Sequence, residues 1–253
     1  MIKIINKDNE KLSFTINASE SLCNAIRRSA NEISILAIED VEIFKNDSVL
    51  YDEVIAHRLG LIPLKTDKTF SEKESCSCKG KGCSKCSVEL KLVGKGPCIL
   101  YAGDLKGKAE PVYKDMPIID LVDGQEIEIV ATARLGKGIE HTKFSPGIVY
   151  YRNVAEIEIS KDCNSCKKCI EACPHKILKM EKKPEAKDIY KCDLCEACVE
   201  ECRKTGKDAI KIKPTEEILF IIETYGQIEA KDIFIGAIDA LKDNLKSASK
   251  EIK

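Results

Sequence analysis

Twelve of the fourteen cysteines in this 253-residue chain fall into three tight groups of four. Cys163, Cys166, Cys169 and Cys173 are spaced C-x2-C-x2-C-x3-C with Pro174 next, and Cys192, Cys195, Cys198 and Cys202 repeat the spacing 29 residues on. Cys76, Cys78, Cys83 and Cys86 read C-x-C-x4-C-x2-C. In a reducing compartment, clustered thiols bind metal more often than they form disulfides. A thiolate is a soft ligand, and each iron of an iron–sulfur cubane takes one. Three cysteines at x2 spacing wrap three corners of a cubane. The x3 cysteine leads away along a helix, so the fourth corner is supplied from elsewhere.

Residues 161–212 resemble the bacterial-type ferredoxin. In two-cluster ferredoxins the fourth cysteine of each motif serves the other cluster. The expected ligands are Cys163, Cys166, Cys169 and Cys202 for cluster I, and Cys192, Cys195, Cys198 and Cys173 for cluster II. Two [4Fe–4S] clusters are expected, with a three-iron form left open for one of them, cluster II. The competing reading is a pair of zinc sites, but zinc ribbons use two C-x2-C pairs, not a triple followed by x3. Arg203 stands where the second motif usually has proline, which leaves the ligands intact and the loop geometry open. The motif implies clusters, not their use. Electron transfer is one use; structural stapling is the other, because folds below ~40 residues need metals or disulfides.

In the 76–86 group, Gly80 and Gly82 permit the tight turns that bring four thiolates around one ion. Four cysteines in so short a loop suit a closed tetrahedral zinc site. The alternatives are a metal-free loop and a third iron–sulfur cluster, for which C-x-C is tight. Cys23 and Cys98 are left over and read as small buried hydrophobes.

The chain is 43% hydrophobic and 33% charged with a formal net charge of −1, which argues against free-standing, charge-driven nucleic-acid binding. No apolar run reaches the roughly 18–20 residues of a membrane span. The densest, Ile218–Ile222, has strand length. MIKIINKDNEKLSF lacks signal-peptide architecture, so a cytoplasmic protein is expected. No P-loop, dinucleotide fingerprint or magnesium-binding aspartate triad occurs. His57, His141 and His175 form no recognisable nucleophile arrangement and read as structural, with His175 placed to shield or tune a cluster. No catalytic residue is expected.

The elements that must carry these groups read as follows. Residues 11–17 alternate Leu12, Phe14 and Ile16 as a strand. Ser19 caps a helix to about Ile33 whose stripe is Leu22, Ala25/Ile26, Ala30 and Ile33. Ile35–Phe44, Val88–Leu92, Ile99–Ala102 and Ile127–Leu135 read as strands. Ala155–Ile159 leads into Cys163. Ala209–Lys213 and Glu217–Thr224 are two further strands. Ala230–Lys253 is an amphipathic helix with Phe234, Ile238, Leu241, Leu245, Ala248 and Ile252 at heptad spacing, suited to a partner helix or to its own sheet.

Two segments carry a family resemblance. SLCNAIRRSANEISILAIEDVEIFKNDSVLYDEVIAHRLGLIPL, residues 21–64, and HTKFSPGIVYYR, residues 141–152, are similar to the assembly platform subunits of multisubunit RNA polymerases. These are the D subunit of archaeal DNA-directed RNA polymerase, the third-largest subunit of eukaryotic polymerase II and the bacterial alpha N-terminal domain. FIIETYGQIEAKDIFIGAIDAL resembles the family's closing strand and helix. The resemblance implies an α+β fold: a discontinuous alpha-like dimerisation domain (1–44, 148–160 and 213–253), a strand-rich insert domain (45–147) with the zinc-type loop, and a two-cluster ferredoxin-like insert (161–212). It further implies a heterodimer with the small alpha-like L subunit through Asn24, the NAIRR helix and the C-terminal helix (Phe234, Ile238, Leu241, Leu245). The Arg27–Arg28 pair is placed near a large subunit. Docking of the N and P subunits and the large catalytic subunits would follow, with DNA met only through the assembled enzyme and no membrane. The rival expectation is an electron-transfer or redox-sensing iron–sulfur protein.

Overall fold

The computed structural model describes every residue except Met1, Lys68 and Lys253. Its strands are Ile2–Lys7 (β1), Lys11–Asn17 (β2), Ser34–Asn46 (β3), Val88–Lys95 (β4), Cys98–Tyr101 (β5), Lys106–Gly107 (β6), Pro117–Leu121 (β7), Glu126–Lys137 (β8), Gly147–Ile159 (β9), Leu178–Met180 (β10), Pro184–Ala186 (β11) and Ile210–Thr224 (β12). Its α-helices are Glu20–Ser29 (α1), Asp52–Gly60 (α2), Lys168–Ala172 (α3), Ala197–Lys204 (α4) and Ala230–Glu251 (α5). The fold is α+β. The chain forms two compact units: residues 1–7, 13–24 and 150–221, and residues 8–12, 25–149 and 222–253.

In the second unit, alternation builds the sheet. β4 buries Val88, Leu90 and Leu92 and exposes the residues between them. β8 buries Ile127, Ile129, Ala131, Ala133 and Leu135 and lies between β3 and β4, antiparallel to both. A strand with period two can bury only one face, so that face needs a cover. α2 supplies part of it by placing Ile55 and Leu59, one helical turn apart, in the same core. Each fully buried aliphatic side chain contributes about 1.5–3 kcal/mol.

The HTKFSPG segment is pinned to this sheet by charge and ring contacts. Arg134 pairs with Glu39 at 3.0 Å and with Glu140 at 3.4 Å, and Lys143 also pairs with Glu39. Both cations sit over the Phe144 ring, at 5.1 and 5.2 Å. Gly136 is required beneath that ring, since a Cβ there would lie 2.6 Å from Phe144 Cζ. Burial alone would raise the Glu39 carboxyl, but hydrogen bonds from Lys143 and Arg134 outweigh it and hold the group below its usual range. A depressed carboxylate stabilises above its unfolded value and loses that contribution as pH falls through the folded one. Glu39→Gln is therefore expected to lower thermal stability at pH 7 and to flatten the wild type's fall in melting temperature below about pH 4.5. Parallel melting curves across pH for both proteins check this.

In the first unit a sheet of order β1-β2-β12-β9 stacks Phe220 between Phe14 (5.6 Å) and Tyr151 (6.3 Å). The two strands expected at 209–213 and 217–224 are one continuous strand, β12, through Pro214. Proline removes one ladder donor. Bonds to β9 bridge the gap: Thr215 Oγ1 donates to the Val154 carbonyl (2.9 Å) and Asn153 Nδ2 donates to the Thr215 carbonyl (3.0 Å).

The α1 stripe is borne out at Ile26 and Ala30 and departs at Leu22, while the face that α5 buries lies one position before the expected seam. Ser19 does cap α1, its Oγ accepting from Leu22 N at 3.3 Å. Yet α1 buries Cys23 and Ile26 and leaves Leu22 46% exposed. α5 buries Ala230, Ile233 and Ala237, with Gly236 against Ile33 and Asn244 Nδ2 bonded to Glu32. Its expected end at Lys253 lies outside the described residues. Cys23 is buried as expected; Cys98 is half-buried, its thiol donating to the Lys95 carbonyl at 3.4 Å.

Candidate metal centres and partner face

The doubled cysteine motif folds as a doubled loop. Ser165 and Leu194, at equivalent positions, have φ of 58° and 62°, and Lys167 and Glu196 have φ of 66° and 58°. These left-handed residues turn each loop around its own centre and start a short helix. Ile170 and Glu171 donate to the Lys167 carbonyl as Val199 and Glu200 donate to that of Glu196. α3 then carries Cys169, and α4 carries Cys198 and Cys202.

Two small cavities result. One is lined by Cys163, Cys166, Cys169 and Cys202, and the other by Cys192, Cys195, Cys198 and Cys173. Each therefore collects three cysteines of one motif and the x3 cysteine of the other. Cys166 and Cys195 are exposed, Cys163 is half-buried and the other five are buried. The thiols bear on one another across motifs. Burial pushes Cys169 up, followed by repulsion from Cys163, Cys166 and Cys202. Burial pushes Cys198 up to about 11, followed by repulsion from Cys173, Cys192 and Cys169. Desolvated thiols such as Cys169 and Cys198 fit a site whose metals ionise them.

Cys76, Cys78, Cys83 and Cys86 bring their sulfurs within 4.8 Å of one another, the one such ligand group among the described residues. The shortest separations are 3.5 Å (Cys78–Cys86), 3.6 Å (Cys76–Cys83) and 3.9 Å (Cys83–Cys86). A tetrahedral zinc with Zn–S near 2.3 Å holds its sulfurs about 3.8 Å apart. The four thiols thus match a single ion, whereas the eight of the doubled motif are spread around wider spaces. Gly80 (φ 79°) and Gly82 (φ 84°) make the turns. Burial opposes ionisation of Cys78, but hydrogen bonds from Cys86 and Cys76 outweigh it and lower the thiol to about 7. The Cys83 N–H favours a Cys86 thiolate, but burial and the neighbouring sulfurs push Cys86 up to about 12. Cys83→Ser is expected to remove one zinc per chain and free the 71–87 loop to exchange, while amides of β4 and β8 stay protected. Metal analysis with hydrogen exchange checks this.

His175 has no local partner in the sequence. The structure supplies one 18 residues on: Nε2 lies 2.9 Å from Asp193 Oδ2, and Asp193 Oδ1 accepts from Cys195 N at 3.2 Å. His175 holds Asp193 at about 2, well below the carboxylate range. No short-range pattern signals this pair, because it closes only when the two motifs meet.

On α1, Asn24 and Arg27 are half-buried and Arg28 is exposed. On α5, Phe234, Ile238 and Leu241 are half-buried and Leu245 is 63% exposed. The helix thus docks through Ile233 and Ala237 and turns a second apolar edge outward. Exposed apolar side chains also occur at Phe44, Val49, Tyr51 and Leu61, which sequence reasoning did not single out. Among the described residues no helix is long and apolar enough to cross a membrane.

Known proteins share these features. The family described as the RNA polymerase Rpb3/RpoA insert domain matches residues 38–150, and the 4Fe-4S dicluster domain matches residues 156–203. DNA-directed RNA polymerase subunit Rpo3 of Methanothermobacter thermautotrophicus is 41% identical, covering 93% of this chain and 92% of the relative. Rpo3 of Archaeoglobus fulgidus is 35% identical over 100% and 97%, and that of Pyrococcus horikoshii 32% identical over 92% and 90%.

Proposed function

The chain belongs to the archaeal DNA-directed RNA polymerase subunit Rpo3 family, and from that premise we propose that it is a non-catalytic platform subunit of DNA-dependent RNA polymerase. The observation that carries this is similarity to Rpo3 along 93% of the chain and 92% of the relative, far beyond the cysteine module. A tagged copy expressed in the native host should purify with the large catalytic subunits and with promoter-directed RNA synthesis. Recovery of the chain alone would sink the proposal.

Within that role, the dimerisation domain is 1–44, 148–160 and 213–253, the insert domain 45–147 and the cluster domain 161–212. The outward edge of α5 and the NAIRR helix form the interface with the L subunit, through Asn24, Phe234, Ile238, Leu241 and Leu245. Arg27 and Arg28 face a large subunit. The N and P subunits dock on the heterodimer, and DNA is reached only through the assembled cytoplasmic enzyme.

Cys163, Cys166, Cys169 and Cys202 hold one [4Fe–4S] cluster, and Cys192, Cys195, Cys198 and Cys173 hold the other. When bound, each cluster supplies four metal–thiolate crosslinks. The protein exchanges Cys173 and Cys202 between the motifs, so the crosslinks tie both halves of the module together. Cys76, Cys78, Cys83 and Cys86 hold zinc, supported by their fit to a tetrahedral thiolate set. The role assigned to the clusters is structural, because their ligands make up much of the module's core. Pure electron transfer would leave unused the similarity outside residues 161–212.

A further inference from the structure

We propose that the two cluster sites are electronically unequal, with cluster I reduced at the higher potential, and that the charges of the two binding loops set the difference. The inference rests on the two-cluster reading above. Between their first and third cysteines the loops have the same length and the same left-handed turns, but opposite charge. The first reads Cys163-Asn164-Ser165-Cys166-Lys167-Lys168-Cys169, and the second Cys192-Asp193-Leu194-Cys195-Glu196-Ala197-Cys198. The first loop carries two cations, Lys167 and Lys168, and the second two anions, Asp193 and Glu196, with Lys167 and Glu196 at matched backbone positions.

The cavities repeat the contrast. Lys167 and Lys207 line the first, and neither has an ion-pair partner among the described residues. Asp193 lines the second, tied in place by the Cys195 N–H and His175. The second cavity is also the more apolar, with Ile157, Ile177, Leu178 and Ile212 in its wall. Reduction adds one electron, hence one negative charge, to a cluster. Nearby cations stabilise that added charge, while carboxylates and an apolar wall disfavour it. His175 beside Asp193 offsets part of that carboxylate, so the direction rests on Lys167, Lys168 and Glu196 and on the apolar wall. Because the loop charges are exposed, salt screens them, and the gap narrows as ionic strength rises.

The test is an anaerobic potentiometric titration of the purified full chain with dithionite as the one-electron donor, followed by electron paramagnetic resonance at low and high salt. Two one-electron waves are expected. Lys167→Gln with Lys168→Gln should lower the upper wave, and Glu196→Gln, alone or with Asp193→Asn, should raise the lower one. Each double change should shift the oxidised-to-reduced ratio by about tenfold at fixed potential, or ~59 mV. Iron content near eight per chain in each variant certifies that both clusters are in place, at four irons per cubane. Coincident waves, a lower wave that moves with the lysine changes, or waves unmoved by either set and by salt would overturn the inference. Iron well below eight in the wild type would instead overturn the two-cluster reading on which it rests.

Discussion

Stripping iron from the anaerobically purified chain should unfold residues 161–212 while β3, β4 and β8 stay folded. The reason is compositional. Five of the eleven buried residues of the module's core are cluster cysteines, Cys169, Cys173, Cys192, Cys198 and Cys202, and the rest are Ala155, Ile177, Leu178, Val199, Ala209 and Ile210, with partly buried side chains such as Ile157 and Ile212 around them. Its regular elements are a five-residue helix, an eight-residue helix and two three-residue strands. Helices below ~12 residues and an isolated two-stranded ribbon are marginal in water without tertiary support. Removing the metals leaves free cysteines around two cavities in place of crosslinks, and metal binding energy at such sites is folding energy. The core of the other unit contains no metal ligand of the doubled motif and keeps its aliphatic packing. Hydrogen exchange of the iron-free chain should show amides of 163–205 exchanging as in an unfolded peptide, with those of 88–95 and 126–137 protected. Persistent protection in the module would show that its apolar residues suffice and that the clusters are passengers.

Ile238→Asp combined with Leu245→Asp should abolish pairing with the L subunit without unfolding the chain. α5 is held to its own unit by Ala230, Ile233 and Ala237, all fully buried. Ile238 and Leu241 are only half-buried and Leu245 is mostly exposed, so an aspartate there meets water in the free chain. In a helix–helix interface the same carboxylate would be desolvated without a partner. Truncating a central apolar anchor costs ~2–4 kcal/mol, and a buried unpaired charge costs more. A loss of affinity exceeding about a hundredfold is expected, since 1.4 kcal/mol is a factor of ten. Ile233→Asp should by contrast lower the melting temperature of the chain itself. Titration calorimetry against the L subunit, with thermal unfolding of each variant, separates the two effects. Wild-type affinity in the double variant would move the interface elsewhere.

What could be read from the sequence depended on the range of the signal. The cysteine loops were legible because their geometry is set within a dozen residues, and β4 because alternation of Val88, Leu90 and Leu92 is unambiguous. α2 was not among the expected elements, although Ile55, Leu59 and Ile62 keep the i, i+4, i+7 spacing of a helix; the segment was read for its family resemblance. β12 was read as two strands because Pro214 normally ends one; the side chains of Thr215 and Asn153 that bridge the break come from tertiary pairing. On α1 the stripe was legible at Ile26 and Ala30 and failed at Leu22; on α5 two apolar edges compete, and only the packing partner selects which is buried. For α5 the seam with heptad spacing is the edge left outward. The His175–Asp193 pair could not be foreseen, since its members meet only after the two motifs fold together.

The most direct test of the platform role is the mass of the complex formed when this chain is co-expressed with the L subunit, measured by light scattering during size-exclusion chromatography. One chain with one copy of the L subunit, eluting as a single peak, is the predicted result. A chain that elutes at its own monomer mass, with the L subunit in a separate peak, would contradict the account.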